Sequence, residues 1–246
     1  KRLQQAGVNL FLQIHDFAED GRPDLYFTED YPADCHYGVI NARDANILLG
    51  AGLDGTALHH LPNAVQGLAG NGGRCPKSQI LYPVRAIRRK NLGEAILLSM
   101  FFNNGQRLAV TQPPNSPADI TSYRDWIDWV RKNDLHVDFE VGNNTDFPLL
   151  VGSSESMVTT SISEGFGLAF LEPWTAGKLL WGRRIADICG DFEKNGIKLD
   201  FLYDRINVPL TWIDAQAFSR DWHHSVFSAA DRYGHVVAAD QANRAF

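Results

Sequence analysis

Two groups of residues in this chain have types and spacings suited to holding an anionic ligand. One is Ser163-Glu164-Gly165-Phe166-Gly167-Leu168-Ala169-Phe170-Leu171-Glu172, a glycine-rich turn with a carboxylate near each end. It follows Met157-Val158-Thr159-Thr160-Ser161, whose β-branched residues predict a buried strand, and it leads into an apolar run that predicts a helix. The first amides of a helix have no partner inside it and carry the positive end of its dipole, and glycines there let a phosphate approach the backbone closely. Glu164 would stand at the mouth of the turn. Glu172 would lie on nearly the same helical face, since the eight positions between them turn a helix by roughly 800 degrees. A carboxylate so placed accepts hydrogen bonds from a vicinal diol such as a ribose. On their own, the glycines are equally compatible with a tight strand-to-helix turn bearing an ordinary surface glutamate.

The other group is Arg85-Ala86-Ile87-Arg88-Arg89-Lys90, four cations in six residues of a chain whose net charge is −6. It stands between a predicted strand, Gln79 to Val84, and a predicted apolar helix, Gly93 to Phe102. Guanidinium forks and an ammonium point charge suit phosphate oxygens. Alone, such a run reads as a solvated charged face. Ahead of a strand-turn-helix phosphate site, it reads as the other half of an anion grip.

Together, Arg85-x-x-x-x-Lys90 after one strand and Glu164-Gly165-Phe166-Gly167-Leu168-x-x-x-Glu172 after another resemble retaining glycosyltransferases of the GT-B fold, in particular glycosyltransferase family 4. The resemblance implies that Arg85 and Lys90 hold the donor diphosphate, Glu164 lies against the transferred sugar or its phosphate, and Glu172 binds ribose. Gly165, Phe166, Gly167 and Leu168 would supply backbone contacts. Near the start, Val8 to Ile14 reads as a buried strand delivering His15 at its carboxyl end, where open α/β sheets place ligand-binding residues. In the resembling enzymes a histidine there faces the reacting sugar. The resemblance covers about residues 5 to 185 and departs from the family pattern after Glu172, where Pro173-Trp174-Thr175-Ala176-Gly177 replaces an unbroken helix. Pro173 should shorten or kink that helix, and Gly177 should end it in a left-handed cap.

The implied architecture is α/β, GT-B type, with two Rossmann-like doubly wound domains. Residues 1–77 would form an amino-terminal, acceptor-side domain, incomplete because the first strand already matches the middle of that domain in the resembling enzymes. Residues 78–200 would form the nucleotide-sugar domain, and 201–246 a closing helical segment packing back toward the first. Strands are predicted at Tyr37 to Asn41, within Ala57 to Val65, at Arg107 to Gln112 and at Leu135 to Val141. Helices are predicted at Ala42 to Leu49, Asp119 to Lys132, Asp187 to Asp200 and Asp214 to Tyr233. Tyr123, Trp126, Ile127 and Val130 share one helical face and read as core. Gly67 to Ser78 is the glycine-rich linker. Gly142 to Asp146 falls where the resemblance implies that the nucleotide base is read.

The activity so implied is transfer of a sugar from a nucleotide-diphosphate sugar to a sugar, lipid or small-molecule acceptor, with retained configuration and without cofactor or metal. Two other readings stay open: an epimerase or hydrolase of nucleotide sugars on the same architecture, and a noncatalytic sugar-nucleotide-binding subunit. A peripheral membrane contact, and a partner chain supplying the remaining amino-terminal part, also stay open. Hydrophobic residues at 44% and charged residues at 21% place the chain among globular proteins. An acidic balance, pI about 5.7, argues against a duplex nucleic-acid surface. No apolar run reaches the length of a bilayer span. Cys35, Cys75 and Cys189 are dispersed and read as reduced thiols of a cytoplasmic protein. The His59-His60 and His223-His224 pairs lack zinc-site spacing, and no Asp-x-Asp metal clamp occurs.

Overall fold

The computed structural model of the chain describes residues 2–15, 35–68, 78–103, 105–232 and 234–245. The described residues up to Asp204 belong to one compact unit, and those from Arg205 onward to a second. Most of the predicted linker lies outside the described residues, as does Cys75.

The first unit contains two parallel sheets. After a single helical turn, α1 (Arg2–Gln5), the strands β1 (Leu10–Ile14), β2 (Cys35–Val39) and β3 (Leu58–His60) pair in that order. In register, Ile14 stands opposite Val39 and Val39 opposite His60. Helix α2 (Ala42–Gly50) follows β2 directly. Asn41 caps it by accepting a hydrogen bond from the Asp44 amide at 2.7 Å. The expectation that the first strand is buried is not met. Phe11 is 51% and Leu12 42% exposed: among the described residues β1 is the edge of its sheet, and its continuous apolar run places one of these on each face.

The second sheet has six parallel strands: β4 (Gln79–Arg85), β5 (Arg107–Gln112), β6 (Val137–Asp138), β7 (Ser156–Thr159), β8 (Leu180–Arg183) and β9 (Leu202–Tyr203). Their spatial order is β6-β5-β4-β7-β8-β9. Helices α3 (Leu92–Ser99), α4 (Pro117–Lys132), α5 (Phe147–Ser153), α6 (Glu172–Thr175) and α7 (Ala186–Lys194) connect them. Side chains alternate between the faces of each strand, and the core divides accordingly. Ile80, Tyr82 and Val84 pack with Leu108, Val110 and Val158 against α3 and α4, including Tyr123 and Val130. Trp126 and Ile127 pack against that cluster from its edge. On the opposite face, Leu81, Ala109 and Met157 pack with Leu150, Val151, Ile188, Cys189 and Phe192. Helices on both faces of a parallel sheet make this a doubly wound layer.

The strand order reverses between β4 and β7. In open α/β sheets a ligand crevice forms at this switch point, outside the carboxyl ends of the two strands. Gly182 shows how closely β8 approaches β7 there, since a Cβ on it would meet the Thr159 carbonyl oxygen at 2.0 Å.

The helix expected to carry both Glu164 and Glu172 does not form. Gly167, left-handed at φ 88°, opens a 3-10 turn at Leu168–Phe170, and α6 begins separately at Glu172 with Pro173 in its first turn. Proline has no amide to donate to the preceding turn, so it starts a helix instead of continuing one. The two glutamates are therefore not related by a helical repeat. Gly177 does adopt the expected left-handed conformation, φ 63°.

In the second unit, a 3-10 turn at Leu210–Trp212 precedes α8 (Ala215–Arg232) and α9 (Ala239–Ala245). The Asp214 carboxylate caps α8, accepting from the amides of Gln216 and Ala217 at 3.0 and 2.9 Å. No described helix is long and apolar enough to cross a membrane.

Candidate functional site

Both sequence groups arrive at the switch point. The basic run leaves β4 through a 3-10 turn, Arg88–Lys90, and the glycine-rich segment leaves β7. They are stitched together by backbone and side chains. The Ile162 amide donates to the Arg89 carbonyl at 2.9 Å. Arg89 Nη1 donates to the Ser163 carbonyl at 3.0 Å and to Glu164 Oε2 at 2.8 Å. The Lys90 ammonium donates to Glu164 Oε1. All three side chains are largely out of water, with Lys90 13%, Glu164 8% and Arg89 22% exposed.

Burial alone would raise the Glu164 carboxyl, but the charge and hydrogen bond of Lys90, with the charge of Arg89, outweigh it and hold the group below its ordinary range. It is an anion at neutral pH, fixed between two cations. Immediately after it, the amides of Gly165, Phe166 and Gly167 donate no hydrogen bond to any described residue. A cationic side chain, a carboxylate and a run of unpartnered amides therefore adjoin at one edge of the sheet. Such a constellation can neutralise an oxyanion and orient the group attached to it.

The other expected residues divide. Arg85 is exposed at the end of β4 and faces the β5 side, where its guanidinium donates to Gln112 Oε1 at 2.7 Å and toward the Pro113 carbonyl at 3.4 Å. It is not in the Lys90–Glu164 cluster, whereas Arg89 is. Glu172 is half-buried at the start of α6; its carbonyl accepts from the Thr175 hydroxyl at 2.8 Å, while its carboxylate has no cationic or hydrogen-bonding partner among the described residues. Burial raises its carboxyl above the ordinary value. Phe166 packs edge-on against Phe192, with ring centroids 5.5 Å apart, so its side chain is a wedge while its amide stays open. Leu168 is 40% exposed in the 3-10 turn. Gly167 is required by packing as well as by its φ, because a Cβ there would meet Ile188 Cγ2 at 2.7 Å.

The first sheet touches this site at one point. Asn41 is 2% exposed, and its Nδ2 donates to the Gly165 carbonyl at 2.8 Å and to Asp44 Oδ2 at 2.9 Å. Beside it, the Ala42 amide donates to Asp191 Oδ2 at 2.7 Å. His15 is exposed at the carboxyl end of β1, one residue past the Ile14–Val39 pair, so it stands on the same sheet edge as Asn41. Asn41 and Arg89 are the site residues that the sequence motif did not single out. Asn41 is legible as a helix cap, but its reach across to Gly165 spans 124 positions and leaves no local signal. Among the described residues, no group of three His, Cys, Asp or Glu side chains converges as metal ligands would.

HepE from Anabaena, solved with UDP-glucose, superposes with a TM-score of 0.63 over 94% of this chain and 67% of its own, at 11% identity. TarM superposes with a TM-score of 0.61 over 92% of this chain and 45% of its own, at 15% identity. The fold is that of the GT-B glycosyltransferases. A curated relative is mannosylglucosyl-3-phosphoglycerate synthase from Petrotoga mobilis, 28% identical over 236 residues. The match covers 83% of this chain and 46% of that enzyme, so the chain spans about half the relative's length. No protein-family model matches the chain.

Proposed function

We propose that this chain forms the donor-binding part of a glycosyltransferase that moves a sugar from a nucleoside-diphosphate sugar to a sugar, lipid or small-molecule acceptor, with retained anomeric configuration. The observation that carries this reading is the juxtaposition of Lys90, Glu164 and the unpartnered amides of Gly165 to Gly167 at the switch point of a doubly wound sheet. Solved structures of the same fold in complex with UDP or UDP-glucose, and a relative named mannosylglucosyl-3-phosphoglycerate synthase, support it.

Departure of the nucleoside diphosphate places growing negative charge on the β-phosphate. Lys90 and the three amides would stabilise that charge more in the transition state than in the ground state, which is what accelerates a reaction. Because the positive charge comes from side chains and backbone, this transfer is proposed to run without a metal. Arg85 is the further cation that the sequence resemblance assigns to the phosphates, and it must release Gln112 to take that role. Glu164 is committed to Arg89 and Lys90, so its part is to orient the ammonium and meet the sugar rather than to attack it. Glu172, whose carboxylate has no partner among the described residues, is the proposed acceptor for ribose hydroxyls, and His15 the proposed contact to the transferred sugar. The test is calorimetric titration with UDP-, GDP- and ADP-sugars. Binding of at least one is expected, and binding of none would remove the proposal.

A further inference from the structure

We infer that the Tyr82 hydroxyl is a positioning group for Lys90, a role that rests on the reading of Lys90 as the diphosphate grip. Tyr82 lies on β4, fully buried, with its ring in the apolar cluster beneath α3 and α4. A tyrosine so placed needs a partner for its hydroxyl. The partner is the backbone carbonyl of Lys90 itself. The Tyr82 hydroxyl oxygen accepts from the Thr160 amide at 3.3 Å and lies 3.0 Å from Thr160 Oγ1. Thr160 Oγ1 also lies 3.1 Å from the Lys90 carbonyl and 3.0 Å from the Asn91 carbonyl. Two fully buried hydroxyls, one within β4 and one just past β7, thus converge on two successive carbonyls of the basic turn.

Convergence at this spot has a geometric consequence. Asn91 is left-handed, φ 51° and ψ 54°, a conformation that asparagine tolerates better than most non-glycine residues and that bends the chain sharply after Lys90. Lys90 is the residue before it, on a flexible side chain whose ammonium can be placed reproducibly only if its root is fixed. Hydrogen bonds to the carbonyls on both sides of the Lys90–Asn91 bend fix that root. Burial pushes the Tyr82 hydroxyl up to about 12, so it remains a proton donor throughout the neutral range. Hydroxyl and ring are separable: Phe in this place would keep the apolar packing and lose the grip on the turn, together with the acceptor for the Thr160 amide.

The experiment compares wild type, Tyr82→Phe, Thr160→Ser, Lys90→Ala and the Tyr82→Phe/Lys90→Ala double variant. Each is titrated with whichever of UDP, GDP and ADP binds wild type most tightly, and with the matching nucleoside. Tyr82→Phe is expected to weaken the diphosphate about tenfold, the low end of what loss of a supporting hydrogen bond costs a ligand-holding side chain. The nucleoside should bind unchanged, and Thr160→Ser, which keeps the hydroxyl, should match wild type. In the Lys90→Ala background the Tyr82→Phe change should add nothing, since both act through one group. Equal loss for diphosphate and nucleoside, or additive losses in the double variant, would overturn the inference and leave Tyr82 a packing residue. Thr160→Val, isosteric and lacking the hydroxyl, gives the same comparison if Tyr82→Phe does not fold. A wild type that binds none of the three diphosphates refutes the donor reading itself. That result is distinct from a wild type whose Lys90-dependent binding Tyr82→Phe leaves intact.

Discussion

The ammonium of Lys90 is bonded to the carboxylate of Glu164, a residue 74 positions away, and the same carboxylate holds Arg89. Removing the carboxylate leaves two largely buried cations facing one another. Breaking a buried ion pair from one side costs about 3–5 kcal/mol, and the bottom of that range is expected here because Arg89 keeps some contact with water. Glu164→Ala should lower the urea midpoint accordingly. A change within about 0.5 kcal/mol, typical of a surface position, would show that the pair contributes little.

Acid should undo the same cluster. The folded-state carboxyl of Glu164 lies below its ordinary value, so the pairing stabilises above the unfolded value of about 4.3 and is lost as pH falls through the lower, folded one. Urea midpoints of wild type and Glu164→Gln, measured from neutral pH downward, should differ most near neutrality and converge in acid. A gap that stays constant would contradict the assignment.

Arg85 and Arg89 should separate in their effects. Arg89 touches Glu164 and the Ser163 carbonyl, whereas Arg85 bonds Gln112. Arg89→Ala is expected to lower stability and to loosen the Glu164 loop, with weaker binding of diphosphate and sugar alike. Arg85→Ala should leave stability nearly unchanged and weaken only the diphosphate. Equal effects on urea midpoint and affinity for both variants would show that the two cations are interchangeable.

Much of the fold could be read from the sequence because it depends on local periodicity. The strands Gln79–Arg85 and Arg107–Gln112 and the helix Pro117–Lys132 emerge close to their expected bounds, since short apolar runs and helical spacing are written into adjacent residues. The apolar run 8–14 misled because continuous hydrophobicity marks a strand without saying whether a layer covers it. The stretch from Gly167 to Glu172 misled because a left-handed glycine and Pro173 outweighed a helix-like composition. At the site, Lys90 and Glu164 could be matched to a motif, but the choice of Arg89 over Arg85 as their companion could not. That choice depends on where a 3-10 turn aims each side chain, and three adjacent cations carry no such information.

Glu172 offers a pH handle on ribose recognition. Burial raises its carboxyl, so in the absence of ligand the proton leaves at higher pH than from an ordinary glutamate. If its anionic form accepts from the ribose hydroxyls, nucleoside affinity should rise with pH through that titration, and 2′-deoxynucleosides should bind more weakly. Both dependences should vanish in Glu172→Gln. Their survival in the variant would place ribose elsewhere.

Gly167 should tolerate no side chain. Its left-handed backbone costs an ordinary residue about 1–2 kcal/mol, and overpacking against Ile188 and Phe170 adds about 1–3 kcal/mol. Gly167→Ala is therefore expected to destabilise markedly in urea melts and to abolish donor binding. A wild-type midpoint would mean that the turn relaxes freely.

The most direct measurement is calorimetric titration of Lys90→Ala against wild type with a nucleoside diphosphate and with its nucleoside. A hydrogen bond to a charged group contributes about 1.5–3 kcal/mol, so a loss of about tenfold or more in diphosphate affinity, with the nucleoside unaffected, is the expected result. Equal weakening of both ligands, or of neither, would contradict a phosphate grip at the Lys90–Glu164 edge of the sheet.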